Sequence, residues 1–458
     1  MVNRATLAID IGTSSVKIAV ISDSGDMLSY SRVTLDSFYG ETDPALSWEI
    51  ALKEGLSLLD YVQDISAVCV AGNGPTLVPL GVAKRPIGPT ISWIDRKAKP
   101  LGDCSSLYLP RLMQAIEDDP SLYDKSTLFI GCPEYMTMLL TDEAVTFLPS
   151  EQFRPFIWDD RQLSICGISS ERLPPMVNIG DRVGYVSARA AEDFGLPSHI
   201  PVFAGLIDFH AALLGCGVVR PGMTLDRAGT SEGINYIAET PLSLTQIRTL
   251  PSLIADTWTV AGLLPATGEV FEWFKKSSGL TARSYHDVTR LITKSIPQQD
   301  YVFYPVRDTS RTLGDQFFGG RFSDGGSITD DLGQRGRAVI EGIGFSVRKT
   351  LELLQDQGCK INSLRHCGGQ ARSFHWNYIK SQILRIPVEV PKIIDAELLG
   401  CAITCFTGMG DYAHMIEAAD DLVEIEHVYS PIQRTSLHYE SHYQQWLESY
   451  DSGSQLSR

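Results

Sequence analysis

The chain has 458 residues, 43% hydrophobic and 21% charged, which predicts a soluble globular protein of two or three domains. Its formal net charge of −16 argues against a nucleic-acid groove or an anionic membrane surface as the main partner. A small phosphate-bearing substrate stays open, because backbone amides and a metal ion neutralise phosphates locally. Nine scattered cysteines without a CxxC pair predict reduced thiols and a cytoplasmic protein. Cys401 and Cys405 lie four apart on a predicted helix without other ligands at metal spacing, and read as buried thiols. The N-terminus runs directly into a strand, so no targeting segment is expected, and no apolar run approaches the roughly 18 residues of a membrane helix.

Taken in order, Ala5 to Asp10 reads as a strand that breaks into Ile11-Gly-Thr-Ser-Ser15, followed by strands Val16 to Ile21 and Met27 to Val33. The small polar turn can direct amides and two hydroxyls into one concavity, as phosphate oxygens require. It has neither Walker A nor GxGxxG spacing, and such turns also occur in plain hairpins. Lys17 reaches either a phosphate or only solvent. Asp43-Pro44 reads as a helix cap with proline at the first helical position. Behind it, Trp48, Leu52, Gly55, Leu56, Leu59 and Val62 share a core face.

Ala67 to Ala71 is a buried strand opening into Gly72-Asn-Gly-Pro-Thr76. The group Ser92-Trp-Ile-Asp-Arg96 can line a polyol pocket, the ring against C–H faces and the charges on hydroxyls; a surface ion pair beside a packed tryptophan is the plain alternative. Residues from about 105 to 175 read as an insertion of mixed helix and loop. Ile200 to Ala204 is a strand, and Gly205-Leu-Ile-Asp208 hands over to a helix, with Gly205 letting a ligand approach. Asp208 either faces a ligand crevice or caps the helix.

Thr224 to Ser231, followed by Gly233 to Ile237, repeats the strand, Gly-Thr-Ser turn and strand of residues 10 to 21. The echo predicts duplicated halves, unless two short segments agree by chance. Further on come a helix around 269–274, a strand at Tyr301 to Tyr304, a Gly-rich loop from Gly314 to Gly326 and a long helix from about Asp330 to Gln357. Gly358 stops that helix. Ser363 to Cys367 leads as a strand into Gly368-Gly-Gln-Ala-Arg-Ser373, whose glycines allow the flat approach of a ring or form a tight turn. A Gly/Ala/Cys-rich helix spans Glu397 to Thr407, a last helix spans about Leu437 to Tyr450, and the tail from Asp451 is expected to be disordered.

In this order the motifs resemble the FGGY family of carbohydrate kinases, of the actin-like ATPase superfamily, with xylulokinase-like members nearest. Asp10-Ile-Gly-Thr-Ser14 is similar to the family's first phosphate loop, and Asp43-Pro44 with Trp48 to its DP…W segment. Ser92 to Arg96 resembles its W-x-D-x-R sugar-side loop with the spacing altered by one. Ala204-Gly-Leu-Ile-Asp208 resembles the segment carrying the catalytic base, and Ala228-Gly-Thr-Ser231 the second phosphate loop. Arg337 to Ile343 with Cys367 to Ser373 resembles the adenosine side. The chain departs from the family at Gly72 to Thr76 and at Asp308 to Leu313, the latter lacking the usual glutamate, and these departures leave the sugar open.

The resemblance implies an α/β protein of two ribonuclease-H-like (actin-like ATPase) domains facing a central cleft. The halves would be 1–217, carrying the insertion, and 218–440, with 441–458 as helix end and tail. It implies ATP and Mg²⁺ as cofactors and a small ketose or polyol as acceptor, with neither nucleic acid nor membrane as partner; a homodimer is one option. Asp208 would be the base, and Asp10 the carboxylate on the Mg²⁺ side. Gly12, Thr13, Ser14, Gly229 and Thr230 would hold phosphates, and Gly368, Gly369 and Ser373 the adenosine. Asn73, Trp93, Asp95, Arg96 and Asp208 would face the sugar. The alternative is a catalytically weak or non-catalytic sensing homologue, which would not need the base.

Overall fold

The computed structural model describes residues 4–35, 43–94, 98, 101–229, 232–244, 247–264, 267–295, 301–307, 318–322 and 331–454. They divide into two compact units: Met1–Val219 with Leu250–Thr257 and Asp395–Val423, and Arg220–Thr249 with Trp258–Ile394 and Glu424–Arg458.

The first unit opens with an antiparallel meander, β1 (Ala5–Ile11), β2 (Ser15–Ser22) and β3 (Met27–Thr34). Helix α1 (Pro44–Ser57) follows, its Asp43 cap accepting the Ala45 N–H at 2.9 Å and its Trp48, Leu52, Gly55 and Leu56 buried. β4 (Ile65–Gly72) lies parallel to β1. The unit is completed by α2 (Cys132–Thr141), β5 (Arg182–Tyr185), β6 (Pro201–Ile207) and α3 (Asp208–Gly215). The sheet runs β3-β2-β1-β4-β6-β5. Its central strands are near-continuous apolar runs because both faces are covered, and β1 is buried along its whole length. The expected insertion contributes Tyr108, Leu112, Phe129, Phe153 and Trp158 to an apolar cluster that also takes in Leu77, Ile91, Ile207 and Leu250.

The second unit repeats the pattern. β7 (Thr224–Ala228), β8 (Glu232–Ala238) and β9 (Trp258–Leu264) form an antiparallel meander, followed by α4 (Thr267–Ser277) and the long α5 (Leu332–Gln355). β10 (Leu364–Cys367) lies parallel to β7, then come α6 (Phe374–Leu384) and β11 (Val388–Pro391), parallel to β10. After α7 (Ala396–Gly408) the chain ends with β12 (Ile425–Tyr429) and α8 (Gln433–Ser454). The strand order β9-β8-β7-β10-β11 reproduces β3-β2-β1-β4-β6. The Gly-Thr-Ser segments that follow β1 and β7 in sequence thus come after equivalent strands of two like sheets.

Several local expectations shift. The strand expected at 301–304 runs Phe303–Arg307, and part of the Gly-rich segment is itself a strand, Phe318–Phe322, paired antiparallel with it. Backbone pairing in register, Phe303 opposite Phe322 through Arg307 opposite Phe318, makes the segment a strand despite its glycines. The last helix continues to Ser454, past the expected tail start, because extending an existing helix costs far less than nucleating one. Helix α7 packs with the first unit, although its sequence position suggested the second half. The cause is close helix contact: a Cβ on Gly215 would run into the Ala396 carbonyl, and one on Gly400 into that of Ala211. Cys401 and Cys405 are buried there, Cys401 Sγ lying 3.7 Å from the Ile9 carbonyl oxygen.

Candidate active site

Three parallel strands of the first unit end level with one another. Ile11 on β1 and Ile207 on β6 are both in register with Gly72 on β4, so Gly12, Asn73 and Asp208 follow at one carboxyl edge. That edge is where open α/β sheets place ligands. Asp208 is half-buried and is the first residue of α3, with Ile207 in the cap position. Its Oδ1 accepts the Phe209 N–H at 2.7 Å. Gly205 has a different purpose from the ligand approach expected of it: a Cβ there would run into the Val70 carbonyl on β4, at an irregularity in the β4–β6 register.

The first Gly-Thr-Ser turn is closed by the Gly12 N–H donating to the Ser15 carbonyl at 3.0 Å. That amide therefore shapes the turn. Thr13 is half-buried and Ser14 exposed, so these are the accessible side chains of the turn. Asn73 is 1% exposed and its Oδ1 accepts from Thr13 Oγ1 at 3.3 Å, which makes it a brace for the turn.

Behind the turn, Asp10 stands opposite Lys17 in the β1–β2 register. Lys17 Nζ lies 3.1 Å from Asp10 Oδ2 and 3.3 Å from Asp395 Oδ1, immediately before α7. Lys17 is thus an ion-pair partner, where its sequence suggested phosphate or solvent. Burial alone would lower its pKa, but Asp10, Glu397 and Asp395 outweigh burial and hold it above the ordinary lysine range.

At the segment expected to face the sugar, the Trp93 N–H donates to Thr76 Oγ1 at 3.1 Å, and its carbonyl accepts from Arg111 Nη2 at 3.1 Å. Asp95 and Arg96 lie outside the described residues. Two groups were missed from sequence. Tyr108 is buried, and its hydroxyl pKa is raised first by burial and then by Glu134, Cys132 and Asp208, which places it within electrostatic reach of Asp208. Glu134, in the first turn of α2, accepts the Phe147 N–H at 3.1 Å, and burial pushes its pKa up to about 7. The only sequence signal for it was a Pro-Glu pair of helix-opening type.

In the second unit, Gly229 is exposed just beyond β7, and Thr230 lies outside the described residues. Gly368 adopts φ +87°, and a Cβ there would stand 2.5 Å from the Ala228 carbonyl oxygen. The two glycine loops therefore touch backbone to backbone. Gly369 is exposed, and among the described residues a Cβ on it would meet nothing within 4 Å. Ser373 caps α6, accepting the Trp376 N–H at 3.3 Å.

Two like units, each a meander continued by parallel strands with a glycine turn at the strand end, define a protein of the actin-like ATPase fold. Residues 109–215 match the N-terminal domain, and residues 227–409 the C-terminal domain, of the FGGY family of carbohydrate kinases. The chain belongs to that family and is an ATP-dependent sugar kinase. It is similar to the xylulose kinase of Staphylococcus epidermidis, 24% identical over 497 residues and covering 100% of this chain and 98% of the relative. It is also similar to the autoinducer-2 kinase of Yersinia enterocolitica, at 22% identity, covering 98% of this chain and 96% of the relative. The crystal structure of xylulose kinase from Rhodospirillum rubrum aligns with a TM-score of 0.78 at 22% identity, covering 98% of this chain and 99% of that one. Among the described residues no helix is long and apolar enough to cross a membrane.

Proposed function

We propose that the chain transfers the γ-phosphoryl group of ATP to a hydroxyl of a small open-chain ketose or polyol of the xylulose type. The supporting observation is the shared strand register that puts Asp208, Asn73 and the Gly12 turn at one sheet edge. Phosphoryl transfer needs a positioned acceptor, a base for its proton and neutralisation of phosphate charge. Asp208 takes the proton of the attacking hydroxyl. Thr13 and Ser14, with Gly12 shaping their turn, and Gly229 with Thr230 hold phosphates. Gly368, Gly369 and Ser373 border the adenosine. Trp93, Asp95 and Arg96 orient the sugar, and Asn73 acts through Thr13.

The residues around Asp10 fit Mg²⁺, which typically takes one or two carboxylates and completes its shell with waters and substrate phosphates. Asp10, with Asp395 joined to it through Lys17, forms an acidic oxygen corner at the phosphate turn. A cation there neutralises phosphate charge when bound. Lys17 holds both carboxylates in place through its ion pairs.

ADP release across ketopentoses, pentitols, hexonates and glycerol tests the proposal. A ketopentose or pentitol should raise turnover well above the sugar-free rate. A flat response across the panel would remove the substrate class.

A further inference from the structure

Beneath the glycine loops of the second unit lies a sealed polar cluster centred on Lys380 of α6. Its Nζ lies 2.5 Å from Asp226 Oδ2, 3.1 Å from Glu232 Oε1, 3.0 Å from His366 Nε2 and 3.4 Å from Gln370 Oε1. Thr267, which opens α4, donates to Glu232. Gln370 Nε2 donates to Glu232 Oε2 at 3.1 Å and to Thr267 Oγ1 at 2.9 Å. Asp226, Glu232, Thr267, His366 and Lys380 are each at most 1% exposed. His366 Nδ1 lies 2.7 Å from Asn377 Oδ1, an acceptor, so that nitrogen carries the proton and Nε2 accepts from Lys380. Burial, followed by the Lys380 charge, lowers the imidazole pKa to about 3 and keeps it neutral. Lys380 is the single cation of this group, facing two carboxylates.

The chain positions of these partners carry the inference. Asp226 lies on β7, three residues before Gly229, and Glu232 opens β8 directly after the Gly-Thr-Ser turn. His366 is two residues before Gly368, and Gln370 belongs to the Gly368–Ser373 loop itself. One ammonium group therefore ties down both flanks of the phosphate turn together with the loop assigned to adenosine. Above it, Gly368 touches the Ala228 backbone. Stability alone is a poor reason for this arrangement, since buried ion pairs are often matched or exceeded by well-packed apolar side chains of similar volume. What the network supplies is a fixed relative placement of the four chain segments that Lys380 reaches.

We infer that Lys380 is a positioning residue for the nucleotide, its ammonium holding the Gly229 turn and the Gly368–Ser373 loop in the one relative placement that receives ATP. The inference rests on the proposed assignment of ATP to these loops. Lys380→Met alone leaves two buried carboxylates uncompensated and should be strongly destabilised. The informative protein is the charge-balanced Lys380→Met/Asp226→Asn/Glu232→Gln full-length variant, which keeps shape and removes all three charges. Melting temperature, binding of ATP, and KM and kcat for ATP and for sugar are measured beside the parent chain.

The expected result is a folded variant whose KM for ATP rises by about tenfold or more, with KM for sugar unchanged. A folded variant with the parent's KM for ATP overturns the inference and leaves the cluster as core filling. If the triple variant fails to fold, Glu232→Gln carries the same test. It retains the Lys380–Asp226 pair and can still bond Thr267 and Gln370, and it should raise KM for ATP selectively; an unchanged KM overturns the inference. A parent chain that binds no ATP fails the proposed function first, which separates that outcome from a failure of the positioning role.

Discussion

Lys17 and Asp10 face each other across β2 and β1, and the same ammonium reaches Asp395, 378 residues beyond Lys17 in sequence. One side chain thus joins the meander carrying the Gly12 turn to the start of α7. Lys17→Met leaves two close carboxylates without a counter-charge, and breaking a buried pair in this way costs about 3 kcal/mol. Melting should fall by several degrees and Mg-ATP affinity should drop with it. Because the folded pKa of Lys17 is raised, its contribution is complete below the ordinary lysine value and fades only as pH climbs above that value. The parent–variant difference should therefore be constant from pH 6 to pH 9. A Lys17→Met chain that melts with the parent shows the ion pair to be inert.

Asp208→Asn separates the two roles open to that residue. Asn can still accept the Phe209 N–H, so α3 and the melting temperature should be unchanged. Loss of a general base lowers turnover by roughly 10² to 10⁴-fold. ATP affinity should stay near the parent value. Full activity in this variant would remove Asp208 as the base and leave only its local helix contact.

Glu134 predicts a pH signature. Its carboxyl has a pKa near 7 in the folded chain against 4.5 ordinarily, because burial disfavours the charged form. The folded state then holds more protons than the unfolded state between those values, so this group makes stability fall as pH rises from about 4.5 to 7. The drop attributable to it is on the order of 3 kcal/mol. Glu134→Gln, neutral at every pH, should flatten that part of the profile. Parallel denaturation curves for the two proteins at pH 5 and pH 7 would rule the assignment out.

Much of this fold can be read locally. The alternation and turn chemistry of residues 5–34 and the repeated strand-turn-strand at 224–237 both describe what neighbouring residues do, and the sheets follow them. Asp208 was legible for the same reason, as a carboxylate at a strand–helix junction. The Lys17–Asp395 pair was not, because its partners lie far apart in sequence and meet only through the tertiary packing of α7. Lys380 was hidden in another way. An isolated lysine in a helical run reads as solvent-facing, and only the converging Asp226, Glu232 and Gln370 make its burial possible. Gly205 misled because a glycine beside a candidate base suggests a ligand, whereas here it admits a neighbouring strand.

The adjacent glycines Gly368 and Gly369, proposed to border the adenosine, should respond oppositely to one methyl group. Gly368 combines φ +87° with a Cβ position 2.5 Å from the Ala228 carbonyl oxygen. Gly368→Ala must therefore strain the backbone and push the two loops apart, costing about 1 kcal/mol for the left-handed conformation and more for the clash. It should lower both melting temperature and ATP affinity. Among the described residues no atom lies within 4 Å of a Cβ on Gly369, so Gly369→Ala should leave melting unchanged or slightly raised. If adenosine lies against this loop, the same methyl occupies ligand space and ATP affinity falls without any loss of stability. Measuring melting temperature and ATP binding on both variants separates fold from ligand. Undiminished ATP binding by Gly369→Ala would move the nucleotide off this glycine.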